Sequence, residues 1–506
     1  MRSISLEFHN SMIFASYLVL PALAVNLRRD SFYSHADNVF DSLRADLITK
    51  PVTSKFESFA GHNMSLVAVE TDGGIEIYSE KDKPSNTSLA TLDIVFSASE
   101  IGWNVLDCQV KALKSVPMFA LGYMEGLATA KQILHFFKLN AESTCRDPKF
   151  RAWIGDRYSS MIRRFRTASS YPVECDTFYQ TAQAFYAQLF GILDGYNHYW
   201  RDSPSNQLDY LDLLCLNSEA QLSELQRLAD SDSSFPQRER CSAVVSIDKH
   251  NRILVAHSTW ATPKEMVDRS FKFLRSQDGQ VNLQLSSYPG FISSTDDWTL
   301  TPDVLLVTET SLNSDNPTQA TSATMPDFIK VMAAHASSRT AEQWVTGYSK
   351  CDEPSGTYLS QWLIVDLARS SLWSLGAGDA ENITPELIRK GKVGSFNSPA
   401  NSILGERANA FWNTPGLRDV QAVFDLMEKS PAFAVLPAEG RTGAADWKLT
   451  GQGVGGSVVM AGPPLVEHSY LTNHLRSLQP ETPWEHLPIV RMQNGRASLP
   501  IDLSSV

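Results

Sequence analysis

Apolar and polar positions alternate with two different periods along this chain, and the balance between them changes near residue 240. Before that point, short period-two runs at Ser65–Val69 and Gly74–Tyr78 predict half-buried strands. They give way to helical spacing over Met118–Thr129, Phe178–Tyr196 and Leu208–Leu228. After it, strand patterns dominate: Ala243–Ile247, Ile253–His257, Val281–Leu285, Val304–Thr308, Gln361–Asp366 and Ser457–Ala461. Helices are expected between them at Pro263–Ser276, Pro326–Ala336 and Leu417–Glu428. Clustered strands with interspersed helices predict an α+β architecture of sheet layers packed on helices. The polar stretch 229–240 (Ala-Asp-Ser-Asp-Ser-Ser-Phe-Pro-Gln-Arg-Glu-Arg) reads as a cleavable linker. It divides an N-terminal fragment, 25–228, from a C-terminal portion, 241–506.

The pattern opening the second half carries candidate chemistry. Cys241 begins the apolar run Cys241-Ser-Ala-Val-Val-Ser246, a turn follows at Lys249–Arg252, and a second run ends in His257-Ser-Thr-Trp260. This predicts a β-hairpin whose first residue is a cysteine. If the bond before Cys241 breaks, one residue supplies both a thiol nucleophile and an α-amine to accept its proton.

Composition narrows the setting. The 506 residues suit several domains or one large layered fold. A net charge of −12, with no basic stripe interleaved with aromatics, argues against a nucleic-acid partner. Arg2, the apolar run Met12–Leu20 and the small residues of Ala22-Leu-Ala24 predict a signal peptide over 1–24, hence the secretory pathway, lysosomal or extracellular. Three glycosylation sequons agree: Asn63-Met-Ser, Asn86-Thr-Ser and Asn382-Ile-Thr. The six cysteines form no CxxC pair, and neither HExxH nor any other ligand spacing indicates a metal or organic cofactor. With Cys241 reserved as a nucleophile, at least one other cysteine stays outside disulfides, and Cys145–Cys175 is the preferred bridge. Gly451-Gln-Gly-Val-Gly-Gly456 lacks the ending of a phosphate loop and is read as a turn. No GxSxG elbow is present.

Taken together, the residues match a family pattern. Gly102-Trp103, Gly122-Tyr-Met-Glu-Gly126, Leu211-Asp-Leu-Leu214, Cys241-Ser-Ala243 with Val255-Ala-His-Ser-Thr-Trp260, and Ser286-Ser-Tyr-Pro-Gly290 with Asp296-Asp-Trp298 occur in order. Thr308-Glu-Thr310 with Asn316-Pro317, Ser355-Gly-Thr-Tyr358 with Gln361-Trp362, and Pro483-Trp-Glu-His-Leu-Pro488 continue it. In these the chain resembles the phospholipase B-like proteins, secreted or lysosomal hydrolases of the N-terminal-nucleophile (Ntn) fold. The resemblance implies an αββα sandwich with a helical N-terminal portion, and autocatalytic cleavage before Cys241 into two fragments that stay associated. It also implies a small-molecule lipid or amide substrate, with peripheral contact with lipid. Cys241 would be the catalytic nucleophile, with His257, Trp260 and Thr310 in its pocket.

Departures from the pattern bear on activity. Where the family reads Gly-Thr-Tyr-Asn-Asn-Gln-Trp, this chain has Gly356-Thr-Tyr-Leu-Ser-Gln-Trp362. Leu359 cannot donate to an oxyanion, which leaves Ser360 as the candidate donor, and one such donor carries about 10²–10³ in turnover. The family's His-Gly-Gly/Ala-Ile-Asp stretch becomes Val454-Gly-Gly-Ser-Val458. Two readings therefore stand: an Ntn-type cysteine hydrolase, or a glycoprotein that keeps the fold as a binding protein. Arg238-Glu-Arg240 also offers a cut site to an outside basic-residue protease, a rival route to two chains.

Overall fold

The computed structural model describes residues 38–55, 63–84, 88–96, 104–167, 172–230, 241–247, 253–261, 268–279, 281–294, 298–301, 305–312, 323–352, 360–366, 368–376, 380–396 and 405–418. Beyond these it describes 422–423, 426 and the strand backbones between 453 and 498.

The large sheet draws on both halves of the sequence. Strands β1 (Val52–Ser54), β2 (Met64–Thr71), β3 (Gly74–Ser79), β4 (Ser88–Val95) and β5 (Asn104–Val110) form one end. Through β5 they join β8 (Ser270–Ser276), β9 (Asn282–Ser287), β10 (Trp298–Thr301), β11 (Leu305–Ser311), β12 (Ser360–Asp366), β13 (Ser371–Leu375) and β14 (Glu381–Asn382). The resulting order is β1-β3-β2-β4-β5-β8-β9-β10-β11-β12-β13-β14. The β5–β8 junction is parallel and pairs Asn104–Val110 with Ser270–Ser276, so backbone hydrogen bonds tie the two halves together across the linker. The small sheet runs β15 (Lys392–Ser395), β6 (Cys241–Ile247), β7 (Ile253–Ala261), β16 (Gly453–Ala461), β17 (Ser469–Leu471), β20 (Arg491–Gln493) and β21 (Arg496–Ser498). Between its last members, β18 (Arg476–Ser477) and β19 (Glu485–His486) pair separately.

Alternation along the strands sorts side chains into layers. Leu274, Val307, Trp362 and Ile364 face a core shared with helices α1 (Ser115–Ala128), α2 (Ala130–Asn140), α4 (Pro148–Thr167), α5 (Asp176–Tyr199) and α8 (Asp327–Ser337). Phe271, Phe273, Leu306, Leu363 and Val365 point the other way and meet Ala243, Val245 and Val255 of the small sheet. The small sheet's outer face, Val244, Leu254 and Ala256, packs on Phe396 and on Ala408 and Phe411 of α11 (Glu406–Asn413). Mixed α and β layers are what the periodicity predicts.

The motif Gly122-Tyr-Met-Glu-Gly126 has a packing explanation. A Cβ at Gly122 or Gly126 of α1 would stand 2.0 Å from the carbonyl oxygen of Gln188 or Ile192 on α5. The contact is reciprocal, since Gly191 and Gly195 would meet the carbonyls of Phe119 and Tyr123 at 2.1 and 2.0 Å. The two helices approach backbone to backbone, and only glycine fits. Glu125, between the glycines, points into the core. It takes the Lys272 ammonium at 2.5 Å, and Lys272 also donates to the Phe291 carbonyl. Both charges are buried, so each depends on the other.

Several expectations are corrected. The disulfides are Cys145–Cys215 and Cys175–Cys351, not Cys145–Cys175. The twenty-residue α4 lies between Cys145 and Cys175, and its rise of about 30 Å sends them to opposite ends of the helical layer. There Cys145, closing the short α3 (Glu142–Cys145), meets Cys215 of α6 (Tyr210–Asn217), and Cys175 meets Cys351 just past α9 (Ala341–Lys350). Cys108 and Cys241 lie outside the disulfides.

The helix expected over Leu208–Leu228 is broken into α6 and α7 (Leu222–Asp230) by a 3₁₀ turn at Glu219–Gln221. At the break Asn217 turns its amide to the Leu213 and Gly290 carbonyls and the Ile292 N–H. Of the helix expected over Pro263–Ser276, Ser270–Ser276 form the strand β8 instead. Phe271 and Phe273 alternate with Lys272 and Leu274 to face two different cores, so period two wins. Of the glycine-rich 451–456, Gly453–Gly456 belong to β16, whose register shifts between Val454 and Ser457, in place of a turn. Most of Leu417–Glu428, the linker, the signal segment 1–24 and Asp296-Asp297 lie outside the described residues.

Candidate active site

Cys241 is the first residue of β6, paired in register with Thr259 on β7, and it is buried with 2% of its surface exposed. Its place in the pleat follows from its neighbours. Ala243 and Val245, two and four residues on, face the large sheet, and so does Cys241. His257 stands opposite Ala243, one step diagonally from Cys241 on the same face. The apolar alternation of the hairpin thus carries a thiol and an imidazole into the space between the sheets.

His257 bridges that space. Its Nε2–H donates to the Glu309 carbonyl oxygen of β11 at 2.8 Å. The bond fixes the tautomer and leaves Nδ1 as the acceptor nitrogen of the neutral ring. Burial pushes the His257 pKa down to about 4, against a smaller upward pull from that hydrogen bond. The ring is therefore neutral at pH 5 and above. In that form the ring can orient a partner or accept a hydrogen bond at Nδ1.

Thr310 lies beside this bridge. It is fully buried on β11, and its hydroxyl pairs with that of Ser395, the residue opposite Ala243 on β15. Ser395, Ala243 and His257 thus form one row across the small sheet, whose two ends grip consecutive residues of β11. Gln361 pairs with Thr310 across β11–β12 and shares its face. Its Nε2 donates to Ser374 Oγ at 2.5 Å.

The structure brings Cys241, His257 and Thr310 to one inter-sheet layer. Ser360 pairs with Ser311 and has the parity of Trp362, so it lies on the helix-facing side of β12. Its hydroxyl is buried, with no hydrogen-bond partner among the described residues. Trp260 is on β7 opposite Val454 of β16, and its side chain, like Leu359, lies outside what is described. Of the sequon residues, Asn63 and Asn382 are exposed and Asn86 lies outside the described residues.

Arg407 is the neighbour that motif reading did not single out. From α11 its guanidinium donates to the Cys241 carbonyl at 2.9 Å and to Ser242 Oγ at 2.8 Å. It is 5% exposed and grips the backbone of the first strand residue from the small sheet's outer face. It sits 166 residues from Cys241 in sequence, which is why no local pattern points to it. Among the described residues no cluster of His, Cys, Asp and Glu could hold a metal ion, and no helix is long and apolar enough to cross a membrane.

Fold and layer together define an α+β protein with a buried strand-initial cysteine between two sheets. Its sequence matches the family model described as phospholipase B over residues 96–378, more than half of the chain. The chain belongs to the phospholipase B family. It is 26% identical over 329 residues to "Phospholipase B-like protein B" of Dictyostelium discoideum, covering 59% of this chain and 55% of that protein. It is 24% identical over 328 residues to "Phospholipase B-like protein C" of the same organism, covering 59% and 56%. With "Phospholipase B-like 1" of Homo sapiens it shares 23% identity over 335 residues, 60% of each chain. The chain thus spans little more than half the length of the curated relatives it matches.

Proposed function

We propose that this protein is an Ntn-type cysteine hydrolase of acyl esters or amides, a phospholipid among them, that enters the secretory pathway. The observation that carries the reading is Cys241 itself: a thiol outside disulfides, at the first position of a strand, in the layer between two sheets, in a chain of the phospholipase B family. Helices, two sheets and an outer helix stack in the order an αββα Ntn fold requires, and this supports the fold implied by the resemblance.

In this reading the Cys241 thiol first attacks the carbonyl of Arg240. The C–N bond breaks, the nitrogen takes a proton to become the α-amine of Cys241, and water hydrolyses the thioester. The amine, with a reference pKa of about 7.7–8.0, then accepts the thiol proton as sulfur attacks the substrate carbonyl. The tetrahedral oxyanion collapses to an acyl-enzyme, the leaving alcohol or amine takes the proton, and water releases the acid. Arg407 would hold the strand start in place, and neutral His257 would orient the substrate or thiol. The fragments would stay together because β5 and β8 share a ladder.

A second reading, a binding protein with little turnover, is favoured by one observation. Leu359 replaces the family amide and Ser360 lies on the opposite face of β12 from Thr310. The test is release of fatty acid from phospholipid and from N-acyl amides by the two-chain protein, beside Cys241→Ala and the double variant Leu359→Asn/Ser360→Asn. Activity abolished by Cys241→Ala supports the hydrolase. Absence of turnover in the wild type and the double variant alike favours the binding reading.

A further inference from the structure

A groove of about 870 Å³ lies away from Cys241, on the helix side of the large sheet where it ends at β13 and β14. None of Cys241, His257 and Thr310 lines it. Its walls mix an aromatic surface with hydrogen-bonding groups: Trp373, Phe178, Gln343, Glu342, Arg369 and Asn382. That blend of one flat apolar face and many polar groups suits a carbohydrate better than an acyl chain.

Asn382 is also the acceptor of the sequon Asn382-Ile-Thr384, and its local geometry is distinctive. It is exposed on the edge strand β14 and directly opposite Trp373 in the β13–β14 register. Cross-strand partners hold their Cβ atoms about 5 Å apart, so a ring attached to one reaches the other. The Thr384 hydroxyl and N–H both donate to Asn382 Oδ1, at 2.6 and 3.0 Å. The carbonyl side of the amide is thereby occupied in an Asx turn, while Nδ2 makes no hydrogen bond among the described residues.

We infer that Asn382 carries an N-linked glycan whose first sugar lies on Trp373 and whose next extends into this groove. The inference rests on the proposed secretory entry. In the transfer step Nδ2 loses a proton and bonds to C1 of an N-acetylglucosamine. The C1–O bond to a lipid-linked pyrophosphate donor breaks, and the pyrophosphate leaves with the electron pair. The seated glycan would cover the edge strand β14, which otherwise offers unpaired backbone groups to other chains. It would also cap the corner held by Cys175–Cys351, since Cys351 lines the same groove.

The experiment is glycopeptide mapping of the full chain expressed through a eukaryotic secretory pathway, followed by timed peptide-N-glycosidase digestion of the native protein. Asn382 is expected to be occupied, and its glycan to be released about three- to tenfold faster from Trp373→Ala, the range one aromatic contact carries. Release at Asn63 should not change. Oxidative footprinting of Trp373 in wild type and in Asn382→Gln gives a second readout with the tryptophan intact. Protection in the glycosylated form alone is expected. An unoccupied Asn382 beside an occupied Asn63 or Asn86 overturns the inference and leaves secretory entry standing. With no sequon occupied, both fall. Occupancy with equal release rates and equal oxidation overturns the seat on Trp373.

Discussion

Two buried histidines should make this protein lose stability as the pH falls below about 6.5. Burial lowers the pKa of His257 to about 4 and that of His335 to about 3. Each is committed to a neutral-ring hydrogen bond: His257 Nε2–H to the Glu309 carbonyl, and His335 Nδ1 from the Trp344 indole N–H. In the unfolded chain both return to about 6.5. The folded values are therefore depressed. Above pH 6.5 neither state binds the proton and the histidines contribute nothing to the slope. Below it the unfolded state gains a proton the folded state refuses, so stability falls until the folded values are reached. At pH 5, about 1.5 pH units below the unfolded value and above both folded ones, about 1.4 kcal/mol per unit gives about 2 kcal/mol of loss per histidine. The assay is urea unfolding at pH 7.5 and pH 5 for wild type, His257→Gln and His335→Gln. Each variant is less stable at both pH values, because it disturbs a buried hydrogen bond. Its loss between the two should be smaller than wild type's by about 2 kcal/mol. Carboxylates titrate in all three proteins and cancel in the comparison. A variant that loses as much as wild type would refute the neutral, buried state assigned to that histidine.

Further perturbations test the supports of the layer. Gly126→Ala puts a Cβ 2.0 Å from the Ile192 carbonyl and should cost at least about 2 kcal/mol of stability, read as a lowered thermal midpoint. Glu125→Gln leaves the Lys272 charge buried without its counter-ion, a loss of about 3–5 kcal/mol. Glu125→Leu combined with Lys272→Met should recover most of it, and an equally unstable double variant would show that packing rather than charge dominates. Arg407→Met removes both donors to Cys241 and Ser242. It should slow appearance of a chain beginning at Cys241 about tenfold, as expected for about 1.4 kcal/mol of lost positioning, with Arg407→Lys intermediate. Unchanged cleavage in Arg407→Met would make that grip a matter of stability alone.

What the sequence reveals follows the range of each interaction. The β6–β7 hairpin was legible because alternation over a few residues puts Cys241, Ala243 and His257 on one face, and β6 and β7 pair in that register. The glycines of Gly122-Tyr-Met-Glu-Gly126 were visible as a motif, but their cause, the matching Gly191 and Gly195 on α5, is a contact between distant helices. The disulfides are illegible for a similar reason: the length of α4 drives Cys145 and Cys175 apart, and their partners Cys215 and Cys351 are 70 and 176 residues away in sequence. Strand β8 was misread because Lys272 sits in a buried position, matched by Glu125 147 residues away. Arg407 and Ser395 meet β6 and β11 only through tertiary packing, and no local spacing could announce them.

The most direct measurement is intact mass and N-terminal sequencing of the purified full chain after mildly acidic incubation, beside Cys241→Ala. A new chain starting at Cys241 is expected in the wild type, and Cys241→Ala should stay uncleaved. Cleavage in both would assign the cut to an outside protease near Arg240. An uncleaved wild type would contradict the N-terminal nucleophile and leave the binding reading ahead.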